Sequence, residues 1–170
     1  MMNWKTLLVP HDFSTAAERA HSLACDLAAM CGGRVVLLHV SPIPHGLDAG
    51  QKLVPDGSDS AVRIEDYLQT AAKRRLETAM EGRTATESVA AVVTTGDVAD
   101  TILAQAVNQK ADVIVMGTHG RSGVRRLLLG SVAERVLRRA NVPVVVVRDP
   151  DPDGDKHLKE EDQVRAEEQG

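Results

Sequence analysis

The residues best suited to chemistry lie between Gly117 and Ser131, where four glycines and three arginines occur within 15 residues. Glycine lets a backbone bend close to an anion, and arginine attracts phosphate. The stretch separates a predicted buried strand from a predicted helix that begins at Ser131. Ser131 opens the sequence Ser-Val-Ala-Glu, a capping box in which its hydroxyl accepts from the amide of Glu134. Together with the free N–H groups of the helix N-terminus, the pattern predicts a phosphate site rather than a simple turn and cap.

The two best-known phosphate loops are absent from the sequence. There is no Gly-x-x-x-x-Gly-Lys-Ser/Thr, and no Gly-x-Gly-x-x-Gly follows the first predicted strand. This argues against a P-loop NTPase and against a Rossmann dehydrogenase.

Hydrophobic runs and turn residues predict strands and helices in alternation, which is typical of an α/β fold with a parallel sheet. The predicted strands are Thr6–Val9, Arg34–Val40, Ser88–Thr94, Val113–Met116 and Val144–Val147. The predicted helices are one that Ser14 or Thr15 caps and Gly32-Gly33 ends, then Ala61–Met80, Val98–Asn108 and Ser131–Arg139. Residues 41–60, rich in proline and glycine, are predicted to form one long loop.

The spacing of Gly117, Gly120, Gly130 and Ser131, with two and nine residues between the glycines, resembles the nucleotide-binding signature of the universal stress protein family. The order of predicted elements agrees with that family over residues 3–148. The resemblance implies a single-domain, open, parallel five-stranded sheet of order 3-2-1-4-5 with helices on both faces, similar to the adenine nucleotide alpha hydrolases. In such sheets the ligand binds where the strand order reverses, here at the ends of strands one and four.

The resemblance also implies which residues contact an adenine nucleotide. Beside the adenosine it places Pro10, His11 and Asp12, with the backbone of Val40 at the adenine edge and Met116 and Gly117 beneath the sugar. For the phosphates it places Gly120, Arg121, Gly130, Ser131 and Val132. Asp12 is either a ribose acceptor or a neighbour of the helix cap, and His119 either faces phosphate or lies exposed on its loop. His11 departs from the small or hydroxyl residue often found at its position.

The leading functional hypothesis is a stress-response protein that binds ATP or AMP for sensing or signalling, with Mg²⁺ bound through the phosphates. We identify no general base, no activated nucleophile and no carboxylate pair for Mg²⁺, so we predict no catalytic residues and slow or no hydrolysis. One alternative is a dimeric interaction module with a vestigial nucleotide site. Another is an enzyme related to ATP pyrophosphatases, which ranks last because Pro-His-Asp-Phe-Ser replaces their Ser-Gly-Gly-x-Asp-Ser loop.

The remaining histidines are not assigned to the nucleotide site, and the arginines of the last helix are expected to lie on the surface. His39 is predicted to be a satisfied core residue. We find no ligand partner at suitable spacing for His21, His45 or His157 and therefore predict no metal site formed by protein side chains. Arg135, Arg138 and Arg139 are expected to join the arginines of the glycine-rich stretch in a small basic surface for phosphates or a dimer contact.

Charge separates the chain into two parts, a domain of residues 1–148 and a tail of residues 149–170. The tail carries nine acidic and three basic residues, a net charge of −6, and the whole chain carries −4, so residues 1–148 carry +2. We expect the tail to be disordered. The tail and the loop at 41–60 are the candidate contacts for a protein partner. With three aromatic residues and a negative net charge, nucleic-acid binding is disfavoured.

The fifth strand and the apolar runs of the chain predict how the protein assembles and where it is located. An all-valine strand at a sheet edge is an aggregation hazard unless it is covered, so we predict a homodimer paired through Pro143–Val147. The apolar runs are too short for a membrane span or a signal peptide. We therefore expect a cytoplasmic protein.

Overall fold

The computed structural model describes residues 4–41, 46–48, 50–57, 59–80, 89–118 and 129–148. Within these ranges the strands are β1 (Thr6–Pro10), β2 (Arg34–Ser41), β3 (Lys52–Leu53), β4 (Val62–Arg63), β5 (Val89–Thr95), β6 (Val113–Gly117) and β7 (Val144–Val147). The helices are α1 (Thr15–Cys31), α2 (Ile64–Met80), α3 (Val98–Asn108) and α4 (Ser131–Arg139).

Five of these strands form one parallel sheet in the order β5-β2-β1-β6-β7. Numbered along the chain without the short strands β3 and β4, this is the order 3-2-1-4-5, which confirms the predicted α/β fold class. The chain passes from β1 to β2 on one side of β1, and later places β6 on the other side. The carboxyl ends of β1 and β6 therefore form the switch point of the sheet.

Both faces of the sheet are covered, and the core is divided between them. Leu8 of β1 packs with Ile102 of α3 and Val136 of α4 on one face. Its neighbour Leu7 lies on the other face, with α1 and with Leu76 of α2. Successive strand residues point to opposite faces, so a strand buried on both needs an unbroken apolar run.

Helix α1 begins and ends as its sequence predicts. The Ser14 hydroxyl accepts from the amide of Ala17 at 3.2 Å, and Gly32 ends the helix in the left-handed conformation with φ of 61°. The buried face of the helix consists largely of alanines, among them Ala20, Ala24 and Ala28. Their small side chains let the helix lie close to the sheet.

The prediction of one unbroken loop from residue 41 to 60 was wrong, as was the predicted start of the second helix at Ala61. Lys52 pairs with Arg63, and Leu53 with Val62, in a small antiparallel ladder. The amide of Ile64 then donates to the carbonyl of Gln51 at 2.9 Å. Because residues 62 and 63 are extended in this ladder, helix α2 begins only at Ile64.

Strand β7 lies at the edge of the sheet, as predicted, and pairs with β6 from Ile114 to Gly117. All four of its valines are half-buried. The acidic tail predicted for residues 149–170 lies outside the described residues, so the proposed division into domain and tail stays a prediction. No helix in the described part of the chain is long and apolar enough to cross a membrane.

Replacement of Ser14 by alanine tests the cap that orients α1. We expect Ser14→Ala to lower the free energy of unfolding by about 0.5–2 kcal/mol, because the amide of Ala17 loses its acceptor. Urea denaturation measures the change. Ser22→Ala, at an exposed position in the same helix, is the matched control and should cost nothing, since alanine favours helix. Equal losses in the two variants would contradict the role of the cap.

Candidate functional site

A crevice of about 180 Å³ opens at the carboxyl ends of β1 and β6, beside the N-termini of α1 and α4. Nine of the twelve residues expected at the nucleotide site line it: Pro10, His11, Asp12, Val40, Met116, Gly117, Gly130, Ser131 and Val132. The other three, His119, Gly120 and Arg121, lie outside the described residues. The fold therefore brings the nine described residues of the predicted site together in one crevice.

The crevice also has an apolar wall that the sequence analysis did not anticipate. Leu38 lies two residues before Val40 on the same face of β2, and Val98 and Ile102 lie one turn apart on α3. Both spacings could have revealed these residues, because side chains two apart on a strand, or four apart on a helix, share a face.

Asp12 lies next to the N-cap of α1 and contacts it, which is one of the two roles that the sequence left open. Its Oδ1 accepts from the amide of Ser14 at 3.1 Å and from the Ser14 hydroxyl at 2.6 Å. A carboxylate offers about four acceptor positions, so it can accept more than one hydrogen bond at a time. Asp12 thus supports the start of α1 and still presents a carboxylate to the crevice.

The side chain of His11 points into the protein and is only 3% exposed. Its Nδ1 accepts from the amide of Phe13 at 3.3 Å, and its Nε2 lies 3.3 Å from Oε1 of Glu18. In the neutral imidazole the proton is therefore on Nε2, facing the carboxylate. These contacts hold the imidazole against α1.

His39 is satisfied, as predicted, although it is half-buried rather than fully buried. Its Nδ1 lies 2.7 Å from the carbonyl oxygen of His11. The contact ties the turn after β1 to β2.

The backbone of Val40 extends past the end of β1. The last residue pair between β1 and β2 joins Pro10 and Leu38, and the amide of His11 donates to the carbonyl of Leu38 at 2.8 Å. Alternate residues of a strand direct their backbone groups to the same side, so the N–H and C=O of Val40 also face the β1 side. Since β1 ends at Pro10, the N–H and C=O of Val40 have no residue of β1 opposite them.

Gly117 is required by packing against α1. A Cβ on Gly117 would lie 2.7 Å from the Cβ of Ala16 and 3.0 Å from its carbonyl carbon. The absent side chain thus lets the first turn of α1 approach the end of β6.

The capping box predicted at Ser131 was wrong. The amide of Glu134 donates to the carbonyl of Gly130 at 2.9 Å, and Gly130 itself is the N-cap, with φ of −59° and ψ of 147°. The amide of Gly130 donates to the carbonyl of Thr118 at 2.8 Å. Because this bond places Gly130 at the cap, Ser131 becomes the first helical residue and its hydroxyl lies too far along to cap.

The N-terminus of α4 therefore faces the crevice without a cap from any side chain in the described part of the chain. The amides of Ser131, Val132 and Ala133 precede the first intrahelical bond, which Glu134 makes. Such amides, at the positive end of the helix dipole, favour an anion.

The arginines of α4 do not form the free basic surface expected from the sequence. Arg135 contacts Asp97 at 2.9 Å and Asp100 at 3.3 Å, Arg138 contacts Glu134 at 3.1 Å, and Arg139 also pairs with Asp100. The hydrogen bond from Arg135 holds the pKa of Asp97 below its ordinary value of 3.8. The pairs of Arg135 and Arg139 join α4 to the first turn of α3 and its N-cap, whereas the pair of Arg138 with Glu134 lies within α4.

The premise that His21 has no ligand partner was also wrong. Glu18 lies three residues before it in α1, and the turn after β1 brings His11 to the same place, so that one ligand atom from each of the three lies within 4.8 Å of the others. His45 and His157 lie outside the described residues.

Comparison with known proteins identifies the family. Residues 3–148 match the model described as the universal stress protein family. The chain belongs to the universal stress protein family. It is 34% identical over 152 residues to the universal stress protein in the QAH/OAS sulfhydrylase 3' region of Thermus aquaticus, a match covering 85% of this chain and 99% of that one.

Solved structures of the family share its fold. The structure of MJ0577 superimposes with a TM-score of 0.69 at 25% identity, covering 88% of this chain and 99% of that one. The universal stress protein from Archaeoglobus fulgidus in complex with dAMP gives a TM-score of 0.60 at 24% identity, covering 86% and 99%. At the latter identity the likeness shows the fold alone.

Replacement of Gly117 by alanine tests the contact between β6 and α1. We expect Gly117→Ala to destabilise the protein by about 1–3 kcal/mol, because the new methyl group overlaps Ala16 and forces α1 away from the sheet. The free energy of unfolding in urea is the measurement. Gly50→Ala is the control, since its Cβ would meet only Asp48 Oδ1 at 3.4 Å. An unchanged midpoint for Gly117→Ala would show that the helix is not held by this contact.

Proposed function

We propose that this universal stress protein binds an adenine nucleotide, ATP or AMP, in the crevice and acts in stress sensing or signalling in the cytoplasm. The observation that carries the proposal is the uncapped N-terminus of α4, which directs the amides of Ser131 and Val132 into the crevice. Phosphate oxygens accept hydrogen bonds from such amides and interact favourably with the helix dipole. Gly120, Arg121 and His119 complete the proposed phosphate site.

The adenosine lies at the opposite end of the crevice in this proposal. Asp12 accepts from a ribose hydroxyl, the sugar lies over Met116 and Gly117, and Pro10 and His11 line its edge. The backbone N–H and C=O of Val40, which face the gap beyond β1, form hydrogen bonds with the adenine edge. The apolar side chains of Leu38, Val98 and Ile102 provide the wall against which an adenine ring packs.

The side chains of the crevice favour binding over turnover. Asp12 is the only acidic residue among those described that line it. A single carboxylate does not provide a dedicated Mg²⁺ site, so Mg²⁺ is held through the phosphates of ATP. His11 is the one histidine in the described lining, and its Nε2 lies 3.3 Å from Oε1 of Glu18. We therefore expect no general base for the attacking water, and slow or no hydrolysis.

Two substitutions at residue 131 distinguish the contribution of its amide to ATP binding from that of its hydroxyl. Ser131→Pro removes both groups and suits the first helical position, because the ψ of 147° at Gly130 is compatible with a following proline. Ser131→Ala removes the hydroxyl alone. We expect Ser131→Pro to weaken ATP binding about tenfold to a hundredfold, since a hydrogen bond to a charged group contributes about 1.5–3 kcal/mol. Ser131→Ala should weaken it less.

Isothermal titration of ATP with Mg²⁺, of AMP and of adenosine measures these effects, and circular dichroism checks folding. Adenosine should bind both variants as it binds the unaltered protein, because it has no phosphate. Equal ATP affinity for Ser131→Pro and the unaltered protein would exclude the α4 N-terminus as the phosphate site. If the unaltered protein binds none of the three compounds, the interaction module with a vestigial site becomes the better hypothesis, with residues 41–60 or the tail as the partner contact.

We also propose a homodimer in which β7 pairs with the same strand of a second copy. The carbonyls of Pro143 and Val147 face β6, accepting from Ile114 at 3.0 Å and Thr118 at 2.9 Å. By alternation, the backbone groups of Val144 and Val146 face outward. An edge of this kind offers hydrogen-bonding groups to another strand.

A single proline tests the dimer. Val146→Pro removes one outward N–H group, while the inward bonds of β7 remain, because proline is tolerated on an edge strand whose N–H faces outward. Light scattering coupled to size-exclusion chromatography should report a dimer for the unaltered protein and for the control Val146→Thr, and a monomer for Val146→Pro. A monomeric unaltered protein at micromolar concentration would refute the dimer.

A further inference from the structure

A cluster of three metal-ligating side chains lies beneath the crevice, between the turn after β1 and helix α1. It consists of His11, Glu18 and His21, and one ligand atom from each lies within 4.8 Å of the other two. His11 is 3% exposed and His21 is completely buried. The side chain of Glu18 is 35% exposed, so the cluster is accessible from that side alone.

Local structure brings the three residues together. Glu18 and His21 are three residues apart in α1, a spacing that places both side chains on one face of a helix. His11 is held in position by its backbone, whose amide donates to Leu38 at 2.8 Å and whose carbonyl lies 2.7 Å from His39 Nδ1. The cluster is thus formed by two rigid elements, which suits a site of defined geometry.

We propose that His11, Glu18 and His21 bind a single Zn²⁺ ion. Two imidazoles and one carboxylate are a donor set that Zn²⁺ uses with a fourth, non-protein ligand. Ligand atoms around a tetrahedral Zn²⁺ lie about 3.3 Å apart. His11 Nε2 and Glu18 Oε1 already have this separation, at 3.3 Å. The widest separation of up to 4.8 Å must shorten, and the partly exposed Glu18 is the side chain able to move.

The ion reaches the cluster from a shallow groove between α1 and α2. Glu18 lines this groove with Phe13, Arg74 and Arg75, and the guanidinium of Arg75 lies 3.9 Å from the centre of the Phe13 ring. The two arginines repel a cation, and Glu18 is the one carboxylate among the described residues that line the groove. Neutralising Glu18 should therefore affect metal binding more strongly than the loss of one donor atom alone.

Zinc binding changes the contact that His11 makes through Nδ1. A neutral histidine that binds metal through Nε2 carries its proton on Nδ1 and donates it to an acceptor. His11 Nδ1 now accepts from the amide of Phe13 at 3.3 Å, so the imidazole must shift its proton and release that amide. Phe13 has a positive φ of 65°, which is unfavourable for a residue with a large side chain. Because zinc binding releases the amide of Phe13 from His11 Nδ1, the amide resonance of Phe13 should shift.

Titration of ZnCl₂ into the metal-free full-length protein, without nucleotide, tests the proposal. Isothermal calorimetry should show one ion bound per chain. Glu18→Gln, which keeps the shape of the side chain, should weaken binding by more than about tenfold, because even outer-shell changes at zinc sites have that effect. Asp26→Asn makes the same change of charge at an exposed position of α1 and should bind zinc as the unaltered protein does.

A second variant and a spectroscopic measurement complete the test. His21→Gln removes a buried donor and should also weaken zinc binding by more than about tenfold. Circular dichroism must first show that this variant folds. Co²⁺ in place of Zn²⁺ should give the visible bands of a nitrogen and oxygen site. A sulfur-to-cobalt charge-transfer band would assign the metal to Cys25 or Cys31 and overturn the proposal. Equal zinc affinity of Glu18→Gln and Asp26→Asn, or no binding by the unaltered protein, would overturn it as well.

Discussion

The site depends on the early end of the central strand β1. β1 ends at Pro10, opposite Leu38, while β2 continues to Ser41. Because the next amide, that of His11, donates to Leu38 of β2, the N–H that proline lacks lies on the β6 side, where the ladder between β1 and β6 has ended. The gap left beyond β1 exposes one edge of Val40 and provides room for the turn that carries His11 and Asp12. A longer β1 would fill the crevice with backbone.

The close packing of α1 against β6 and the uncapped N-terminus of α4 lie at the two ends of this gap. At one end, Gly117 lets α1 approach within van der Waals contact of β6, with no space for even a methyl group. At the other, the bond between Gly130 and Thr118 places the N-cap of α4 at Gly130, one residue before the serine, and no described side chain caps the helix amides that face the crevice. Helix α4 packs with α3 in one core cluster, to which Val136 and Ile102 belong, and the exposed ion pairs of Arg135 and Arg139 add a link at the surface.

His11 connects the crevice with the buried cluster beneath it. Its backbone forms part of the crevice wall, while its imidazole contacts Glu18 on α1. In the proposals made above, the nucleotide contacts one side of this residue and Zn²⁺ the other.

Local patterns in the sequence determined most of the helices and strands. Continuous apolar runs distinguish strands buried on both faces, and Ser14, Gly32 and Pro10 set boundaries through local hydrogen bonding and backbone geometry, so these features were predictable to within a residue or two. The strand order and the site rested on the resemblance of the spacing from Gly117 to Ser131. Tertiary structure decided the rest. The extended residues before α2 depend on pairing with Lys52 and Leu53, and the cap of α4 depends on the carbonyl of Thr118. The arginines of α4 find acidic partners on another helix. The cluster of His11, Glu18 and His21 joins residues from a turn and a helix, and no periodicity along the chain shows that contact, because it arises only when the helix packs back against the strand.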